Sequence, residues 1–496
     1  GTTLGGGGGG SSGSSAEDAD LSNPVVIRRI EMLETMLEPI SGSSVETDGT
    51  PQRKALIWLA KDDPAKLPLK TTSLDMIEQR YILATLYFAT DGPNWALQYN
   101  FMSASDVCDW HSTTEGIFCN NSEGYVTNVE LNNLNLNGEL PPDIALLPQL
   151  RMLRIGGNKL KGTFPSQIGL LKTLNVLDVG FNHFEGELPS DLGHLRQLEI
   201  LDVSNNDFSG PLHSHINNIQ TLQLCDVSHN DFVGTLHDNF GNFRNLQIFR
   251  ASYNQFSTTI TKRLADISTL EELLLDNNQF KGEVPAVFAS MPSLAILDVS
   301  SNLLSNTIPT FFGLFPRIQS LGLANNQFEG PLISEIGNLG YTLEVLRLNG
   351  NNLKSFIPLE LGELTKIQEM NFEGNQLEGN IPSEIGQCSE LKYLSVAKNE
   401  LFGDLPTELG QLSELEILDI SYNNFGGDIP PALGNQLSRL KQLYLPANQF
   451  RQDLDPIFCN RAPFEEFLSD CKLSDVKCSC CTMCCNGDGE EANCSK

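Results

Sequence analysis

One apolar position recurs along most of the chain at a step of 24 residues, with two steps of 25. Leu fills this position except in three places, where Val or Ile stands. Its fourteen occurrences are Val126, Leu150, Leu174, Leu198, Leu222, Leu246, Leu270, Leu294, Ile318, Leu343, Ile367, Leu391, Leu415 and Leu440. A fixed period of this length indicates stacked structural repeats, because no single repeat buries its apolar edge alone. The repeats replace the roughly three separate domains that the length of the chain alone suggests.

Each position of the repeat has a structural role. The segment Leu-x-x-Leu-x-Leu alternates inward and outward, so we expect one strand per repeat in a parallel sheet. An Asn follows, and its amide can satisfy backbone groups where the chain turns away from the sheet. Only the first repeat lacks it, with Leu134 in its place. The other repeats carry Asn158, Asn182, Asn206, Asn230, Asn254, Asn278, Asn302, Asn326, Asn351, Asn375, Asn399, Asn423 and Asn448.

The predicted fold is therefore an α/β leucine-rich-repeat solenoid, a horseshoe of about 14 repeats of 24 residues with a parallel sheet on its concave face. Both ends of such an array need a cap. Before the repeats, apolar residues at helical spacing from Leu74 to Thr90 predict a covering helix. Cys108 and Cys119, next to Trp110, suit a disulfide that pins this first cap.

The C-terminal end carries a dense cysteine cluster. Two interpretations are open: a cap held by disulfides, which we favour, or thiolate metal binding. Metal sites usually combine separated Cys pairs with His, and no His follows His237. We expect Cys225 and Cys388, in inward positions of the repeats, to be buried free thiols. The cluster comprises Cys459, Cys471, Cys478, Cys480, Cys481, Cys484, Cys485 and Cys494.

Composition divides the chain and excludes some partners. The predicted segments are a disordered Gly/Ser-rich stalk (1–24), a short helical juxtamembrane-like segment (25–70), an N-terminal cap (71–125), the repeats (126–455), and a Cys-rich cap and tail (456–496). The formal net charge of −30 argues against nucleic acid as a partner, because phosphate binding needs a basic surface. A membrane is expected only through an anchor upstream of the chain.

The Gly-x-Ile-Pro motif of the repeats, together with Cys108-Asp109-Trp110 and Cys119, resembles the plant-type extracellular leucine-rich-repeat proteins. The likeness extends from about Leu74 to Pro456. Residues 50–60 and 79–87 look more like algal members of that class, in which a membrane span commonly precedes a Gly/Ser-rich stalk. The class includes receptor-kinase ectodomains, receptor-like proteins and secreted inhibitors of wall-degrading enzymes. The resemblance implies recognition of a ligand, with no catalysis and no cofactor.

Three differences from members of this class narrow the expected function and ligand. The chain has no kinase motif and no repeat with a long insertion. It also lacks the paired Arg that some peptide receptors use, since Arg347 is followed by Asn349. We expect a non-enzymatic extracellular or cell-surface recognition protein, as the ectodomain of a membrane-anchored receptor-like protein. Its partner is a protein or peptide, with cell-wall carbohydrate as a further candidate. A secreted hydrolase inhibitor and a structural or adhesion role are the alternatives.

Outward strand residues supply the candidate contact sites, because aromatic residues and Arg are enriched where proteins bind partners. The first patch is central, and the second lies near the C-terminal end with Lys392, Lys398 and Lys441, which make it locally basic. Carboxylates in the mid-strand column could form a cation site or could be merely solvated. Asn120 and Asn493 begin glycosylation sequons. The ligand-face candidates are Phe181, Asp202, Asp226, His229, Arg250, Tyr253, Tyr393, Tyr422 and Tyr444.

Overall fold

The computed structural model describes residues 23–120, 123–461, 463–472, 476–486 and 494–495. Apart from its last two residues, the predicted stalk lies outside this part of the chain. The residues form two compact units, one ending at Leu198 and one beginning at Glu199. Among the described residues, no helix combines the length and the hydropathy that crossing a membrane requires.

Helices open the first unit. They are α1 (Pro24–Ser41), α2 (Pro51–Ile57), which continues into a π-helical turn (Trp58–Asp62), and α3 (Leu74–Ala89), with short 3-10 turns at Gly42–Val45, Gly92–Asn94 and Val107–Asp109. Side-chain caps explain where α1 and α2 begin, since Asn23 and Thr50 accept hydrogen bonds from the backbone N–H groups of the first turns. Leu33 and Leu37 of α1 are fully buried. The helices therefore form one packed layer rather than separate segments.

A buried ion pair lies at the centre of this layer. The guanidinium of Arg80 on α3 donates to both carboxylate oxygens of Asp63, at 3.0 and 2.7 Å. It is also flanked by the rings of Trp58 and Trp110, 5.2 and 4.9 Å from its central carbon. Such pairing offsets the desolvation of two charges. Close by, Cys108 and Cys119 form the disulfide of this cap.

Repeats follow the cap in the first unit. The strand Gly116–Cys119 pairs antiparallel with Val126–Glu130, and the next strands of the sheet are Met152–Arg154 and Val176–Asp178, all parallel. A second set of short parallel strands comprises Asn137–Gly138, Lys159–Thr163 and His183–Glu187. Short 3-10 helices complete the repeats at Pro142–Leu146, Ser166–Leu170 and Ser190–His194. Buried Asp143 accepts hydrogen bonds from Ser41 and Gln52, which ties the helical layer to the first repeat.

The second unit continues the same repeat. Its main parallel sheet contains Ile200–Asp202, Leu224–Asp226, Ile248–Arg250, Glu272–Leu274, Ile296–Asp298, Ser320–Gly322, Val345–Arg347, Glu369–Asn371, Tyr393–Ser395, Ile417–Asp419 and Gln442–Tyr444. The second parallel set contains Asp207–Pro211, Asp231–Gly234, Gln255–Thr258, Gln279–Gly282, Leu303–Thr307, Gln327–Pro331, Asn352–Phe356, Gln376–Gly379, Glu400–Gly403 and Asn424–Phe425.

Short helices link these two sets of strands. Their 3-10 turns are Ser214–Asn218, Asp238–Asn242, Lys262–Asp266, Ala286–Ser290, Thr310–Leu314, Ser334–Leu339, Leu359–Glu363, Ser383–Gln387 and Thr407–Gln411, followed by α4 (Pro431–Asn435). Between the strands, Phe208, Phe232, Phe256 and Phe280 stack with ring centroids 6.2 to 6.3 Å apart. This column fills the interior of four consecutive repeats.

The main sheet extends beyond the last predicted repeat. The strand Glu466–Ser469 pairs with Gln442–Tyr444, and Met483–Cys484 pairs with Glu466–Ser469, after a short helix α5 (Asp455–Phe458). Four disulfides hold this end: Cys459–Cys480, Cys471–Cys484, Cys478–Cys481 and Cys485–Cys494. The predicted C-terminal disulfide cap is confirmed, and it continues the sheet instead of only covering it.

The Asn of each repeat holds neighbouring repeats together. Asn278 shows the pattern: its Nδ2 donates to the carbonyl of Ala251 in the preceding repeat at 2.9 Å, and to those of Leu275 and Asp276 at 3.1 Å. Its Oδ1 accepts from the N–H of Phe256 at 3.0 Å. The side chain is 8% exposed. One amide thus satisfies backbone groups of two repeats at a turn where the chain has no sheet partner.

Replacing Asn278 tests how much its side-chain amide stabilises the fold. We expect Asn278→Ala to lower the free energy of unfolding by about 2 to 4 kcal/mol, because buried backbone groups lose their partners. Gln279→Ala, at the exposed neighbouring position, should change it by less than about 0.5 kcal/mol. Urea unfolding followed by circular dichroism measures both. Equal stability of the two variants would show that water replaces the amide.

Candidate ligand-binding surface

The residue before each ladder Asn has a left-handed backbone. In the second unit its φ lies between +51° and +68° at Asn205, His229, Tyr253, Asn277, Ser301, Asn325, Gly350, Gly374, Lys398, Tyr422 and Ala447. Asn and Gly adopt this conformation at little cost, whereas it costs most other residues about 1 to 2 kcal/mol. Bulky rings at this position therefore oppose the local backbone preference, and such conflicts concentrate at functional sites.

His229 and Tyr253 form a stacked pair at two consecutive left-handed positions. Their ring centroids are 4.2 Å apart and the planes differ by 11°. Both side chains are exposed, Tyr253 to 49%. The backbone N–H of His229 donates to Ser252, and that of Tyr253 to Asp276, which fixes both residues to the neighbouring repeat. The rings are therefore presented to solvent from a rigid frame.

A chain of ion pairs is centred on Arg250, three residues before Tyr253. The Nε of Arg250 lies 2.6 Å from Oε1 of Glu272, and Nη1 lies 3.6 Å from Oδ2 of Asp226. The hydrogen bond with Glu272, more than any other cause, raises the pKa of Arg250. Arg250 is thus held by acids from the repeats on both sides. Glu272 did not figure among the sequence candidates because reading one repeat at a time does not reveal partners in the next.

The mid-strand carboxylates have a structural role. Asp226, which is 7% exposed, accepts hydrogen bonds from the N–H and the hydroxyl of Ser228, and Asp202 accepts from the N–H of Ser204. Burial, with a smaller contribution from the charge of Asp226, raises the pKa of Asp202. These two residues are paired across adjacent strands. Neither carboxylate is freely solvated, so the interpretation of the mid-strand carboxylates as merely solvated was incomplete.

The second predicted patch is not a basic one. Lys398 pairs with Glu373 at 2.7 Å, Lys441 pairs with Glu416 at 2.6 Å, and Lys392 donates to Gln368. Glu373 and Glu416 stand in the preceding repeats and offset the charges of Lys398 and Lys441, whereas the neutral amide of Gln368 gives Lys392 a hydrogen bond only.

The tyrosines of this patch differ in their surroundings. The hydroxyl of Tyr444 donates to Glu466 at 2.6 Å, and the pKa of half-buried Tyr393 is raised mainly by burial. Tyr422 has the left-handed backbone but is only partly exposed.

The remaining predicted positions belong to the first unit or to the C-terminal tail. Phe181 is 63% exposed and has the left-handed backbone, but it belongs to the first unit. The side chain of Asn120 donates to Gln149 and accepts from Glu123 and Tyr125, so it holds a turn. The remainder of that sequon, and Asn493, lie outside the described residues.

The cysteines do not form a metal site in this structure. Sulfur atoms of Cys459, Cys478 and Cys480 lie within 4.8 Å of one another, and no other group of three potential ligands among the described residues is as close. All three are bonded in disulfides, whereas metal ligation needs thiolates. Cys225 and Cys388 are buried free thiols, and burial raises the pKa of Cys388 to about 12, so that thiol is unreactive.

The recurring Asn and Gly carried a signal that the sequence analysis did not use. Asn205, Asn277, Asn325, Gly350 and Gly374 share one position of the repeat, and residues of these types mark a left-handed backbone. The other residues at this position in the second unit are His229, Tyr253, Ser301, Lys398, Tyr422 and Ala447, and only His229, Tyr253 and Tyr422 among them are rings. Asp276 is a further candidate that the sequence did not indicate, since its carbonyl oxygen accepts a hydrogen bond from the backbone N–H of Tyr253.

Stability measurements can separate a structural from a binding role of Tyr253. We expect Tyr253→Asn to change the free energy of unfolding by less than about 1 kcal/mol, because relief of the left-handed backbone offsets the lost ring stacking. Ser301→Asn, which gains only the relief, should raise stability by about 0.5 kcal/mol. Urea unfolding measures both. A loss above about 2 kcal/mol for Tyr253→Asn would make the ring a structural element.

Comparison with known proteins shows which family these repeats resemble. Residues 130–363 match the family model of the leucine-rich repeat region, and residues 366–388 and 414–436 match that of the leucine-rich repeat, so together the matches span more than half of the chain. No curated protein matches the sequence. Among solved structures, a TDR receptor is 30% identical with a TM-score of 0.64, over 66% of this chain and 57% of that one.

Two further solved structures are similar. The PEPR1–AtPEP1 structure is 27% identical with a TM-score of 0.68, over 79% of this chain and 58% of that one. The ectodomain of the Arabidopsis thaliana membrane receptor kinase GASSHO1/SCHENGEN3, in complex with CASPARIAN STRIP INTEGRITY FACTOR 2, is 32% identical with a TM-score of 0.51, over 66% and 44%. This chain spans less than three fifths of the length of each of the three. The chain belongs to the leucine-rich-repeat family, and its repeats are of the plant extracellular type.

Proposed function

We propose that the chain is a non-enzymatic recognition protein that binds a protein or peptide through outward side chains of its main sheet. The observation that carries the proposal is the exposed stack of His229 and Tyr253 on a backbone that disfavours rings. Nothing in the fold requires rings there, because Asn and Gly serve the same turn in neighbouring repeats. Exposed aromatic residues beside an Arg are typical of surfaces that bind proteins.

The similar structures support this proposal at the level of the class. One is a receptor, and the other two pair a receptor with a partner: PEPR1 with AtPEP1, and a receptor-kinase ectodomain with CASPARIAN STRIP INTEGRITY FACTOR 2. The five disulfides agree with a place outside the cell, where such bonds persist. We therefore infer an extracellular receptor-like ectodomain, joined to a membrane by a segment outside this chain.

Affinity capture tests the proposal. The oxidised chain serves as bait for cell-surface and wall extracts of the source cells, beside a His229→Asn/Tyr253→Asn double variant. We expect the native bait to recover a protein or peptide partner that the double variant recovers at least about tenfold less well, since central aromatic contacts commonly dominate binding. Quantitative mass spectrometry of the eluates provides the measurement.

Ser301→Asn is the matched control bait, because it changes the same backbone position outside the aromatic pair. It should recover the partner as the native chain does. Equal recovery by the double variant would place the contact elsewhere and contradict the proposal. A hydrolase that the chain inhibits would identify the partner class of the alternative, a secreted inhibitor.

A further inference from the structure

The surface around the aromatic pair carries a surplus of negative charge. In the outward strand and turn positions within residues 199–277, all of which the structure describes, Arg250 is the single Arg or Lys and His229 is the single His. The guanidinium of Arg250 is engaged by Glu272 and Asp226. Glu199, Asp202, Asp226, Glu271, Glu272 and Asp276 are the acids in those positions. One Arg cannot neutralise them, so the local field favours a cation.

The ring of Tyr253 has one face available for a ligand. His229 covers the other face, yet Tyr253 remains 49% exposed. At the corresponding position of the following repeat stands Asn277, whose side chain is smaller than a ring. The π face of a tyrosine attracts a cation within about 6 Å, and a planar guanidinium stacks on such a face.

Asp276, in the repeat that follows Tyr253, supplies a carboxylate. Asp276 accepts the backbone N–H of Tyr253 through its carbonyl oxygen at 3.0 Å. Its side chain accepts from the hydroxyl of Ser252 and, at 2.8 Å, from the amide of Asn277. These hydrogen bonds fix the carboxylate, and each carboxylate oxygen keeps a further lone pair for a donor. A fixed carboxylate thus belongs to the residue that is bonded to the backbone of Tyr253.

We propose that the ligand is a basic peptide segment, and that an arginine side chain of this segment stacks on Tyr253 and pairs with Asp276. This inference rests on the proposed function and adds the chemistry of the partner. The ring supplies the stacking surface and the acids supply the charge complement. The ion pairs of Arg250 keep Glu272 and Asp226 in place while the ligand binds.

Fluorescence anisotropy with synthetic peptides tests the chemistry. The probe is a fluorescein-labelled peptide of Gly, Ser and three Arg with blocked termini, and its match has citrulline in place of each Arg, which keeps the shape and removes the charge. We expect the Arg peptide to bind the native chain at least about tenfold more tightly than the citrulline peptide, and to weaken as salt rises. A Lys peptide should bind less well than the Arg peptide, because ammonium does not stack as a plane.

Variants distinguish the contribution of the Tyr253 ring to peptide binding from that of the surrounding negative charge. Tyr253→Asn keeps every charge and should weaken the Arg peptide about fivefold, whereas Tyr253→Phe should retain binding. Asp276→Asn should also weaken it, and Ser301→Asn should not. A thermal melt of each variant confirms folding, so a loss cannot be assigned to an unfolded chain.

Three results would overturn the inference: no binding of the Arg peptide, equal binding of the Arg and citrulline peptides, or unchanged binding by Tyr253→Asn. The outcome of the capture experiment is independent of these results. A non-basic partner whose recovery depends on His229 and Tyr253 would still support the proposed function. Conversely, Arg-peptide binding that needs Tyr253, with no partner recovered by capture, would leave the site established and the biological role contradicted.

Discussion

The side-chain amide of the repeated Asn is the interaction on which the rest of the structure depends. A 24-residue repeat must leave the sheet after a strand of three residues, and at that point backbone groups have no strand partner. Each Asn, such as Asn278, serves them with donors and an acceptor, and it reaches into the preceding repeat as well as its own. The apolar positions drive burial, but apolar contacts are not directional. The amides therefore fix the register in which the repeats stack.

The same turn connects the fold to recognition. To bring the Asn inward, the preceding residue takes a left-handed backbone, and its side chain is directed away from the core. The side chain at this position therefore does not have to pack in the core, but the residue must adopt the left-handed backbone. Gly and Asn meet the backbone demand, whereas the rings of His229 and Tyr253 do not. At His229 and Tyr253 neither packing nor the backbone favours a ring, and this is the reason for proposing that they bind a partner.

The period predicted what depends on residue type at a repeated position: the parallel sheet, the solenoid and the Asn ladder. Cysteine spacing and compartment likewise predicted a C-terminal disulfide cap. Pairing across repeats was not predictable, because the bonds of Arg250 to Glu272 and of Lys398 to Glu373 depend on rotamers and on which neighbour the side chain reaches. The extra strand Glu466–Ser469 was also missed, since its sequence lacks the Leu-x-x-Leu-x-Leu pattern although its backbone still pairs with the sheet.

Buried carboxylates of the main sheet carry an electrostatic cost in the free protein. Burial raises the pKa of Asp202, Asp298 and Asp419, so each carboxylate is harder to ionise than in an unfolded chain. For such a group the stabilising contribution is full at low pH and is lost as pH rises through the folded-state pKa. At neutral pH the ionised column therefore opposes folding slightly, and its hydrogen bonds to Ser204, Ser300 and Ser421 offset only part of this. Of these three residues only Asp202 belongs to the surface within residues 199–277, and there a cationic ligand of the kind proposed would lower this cost.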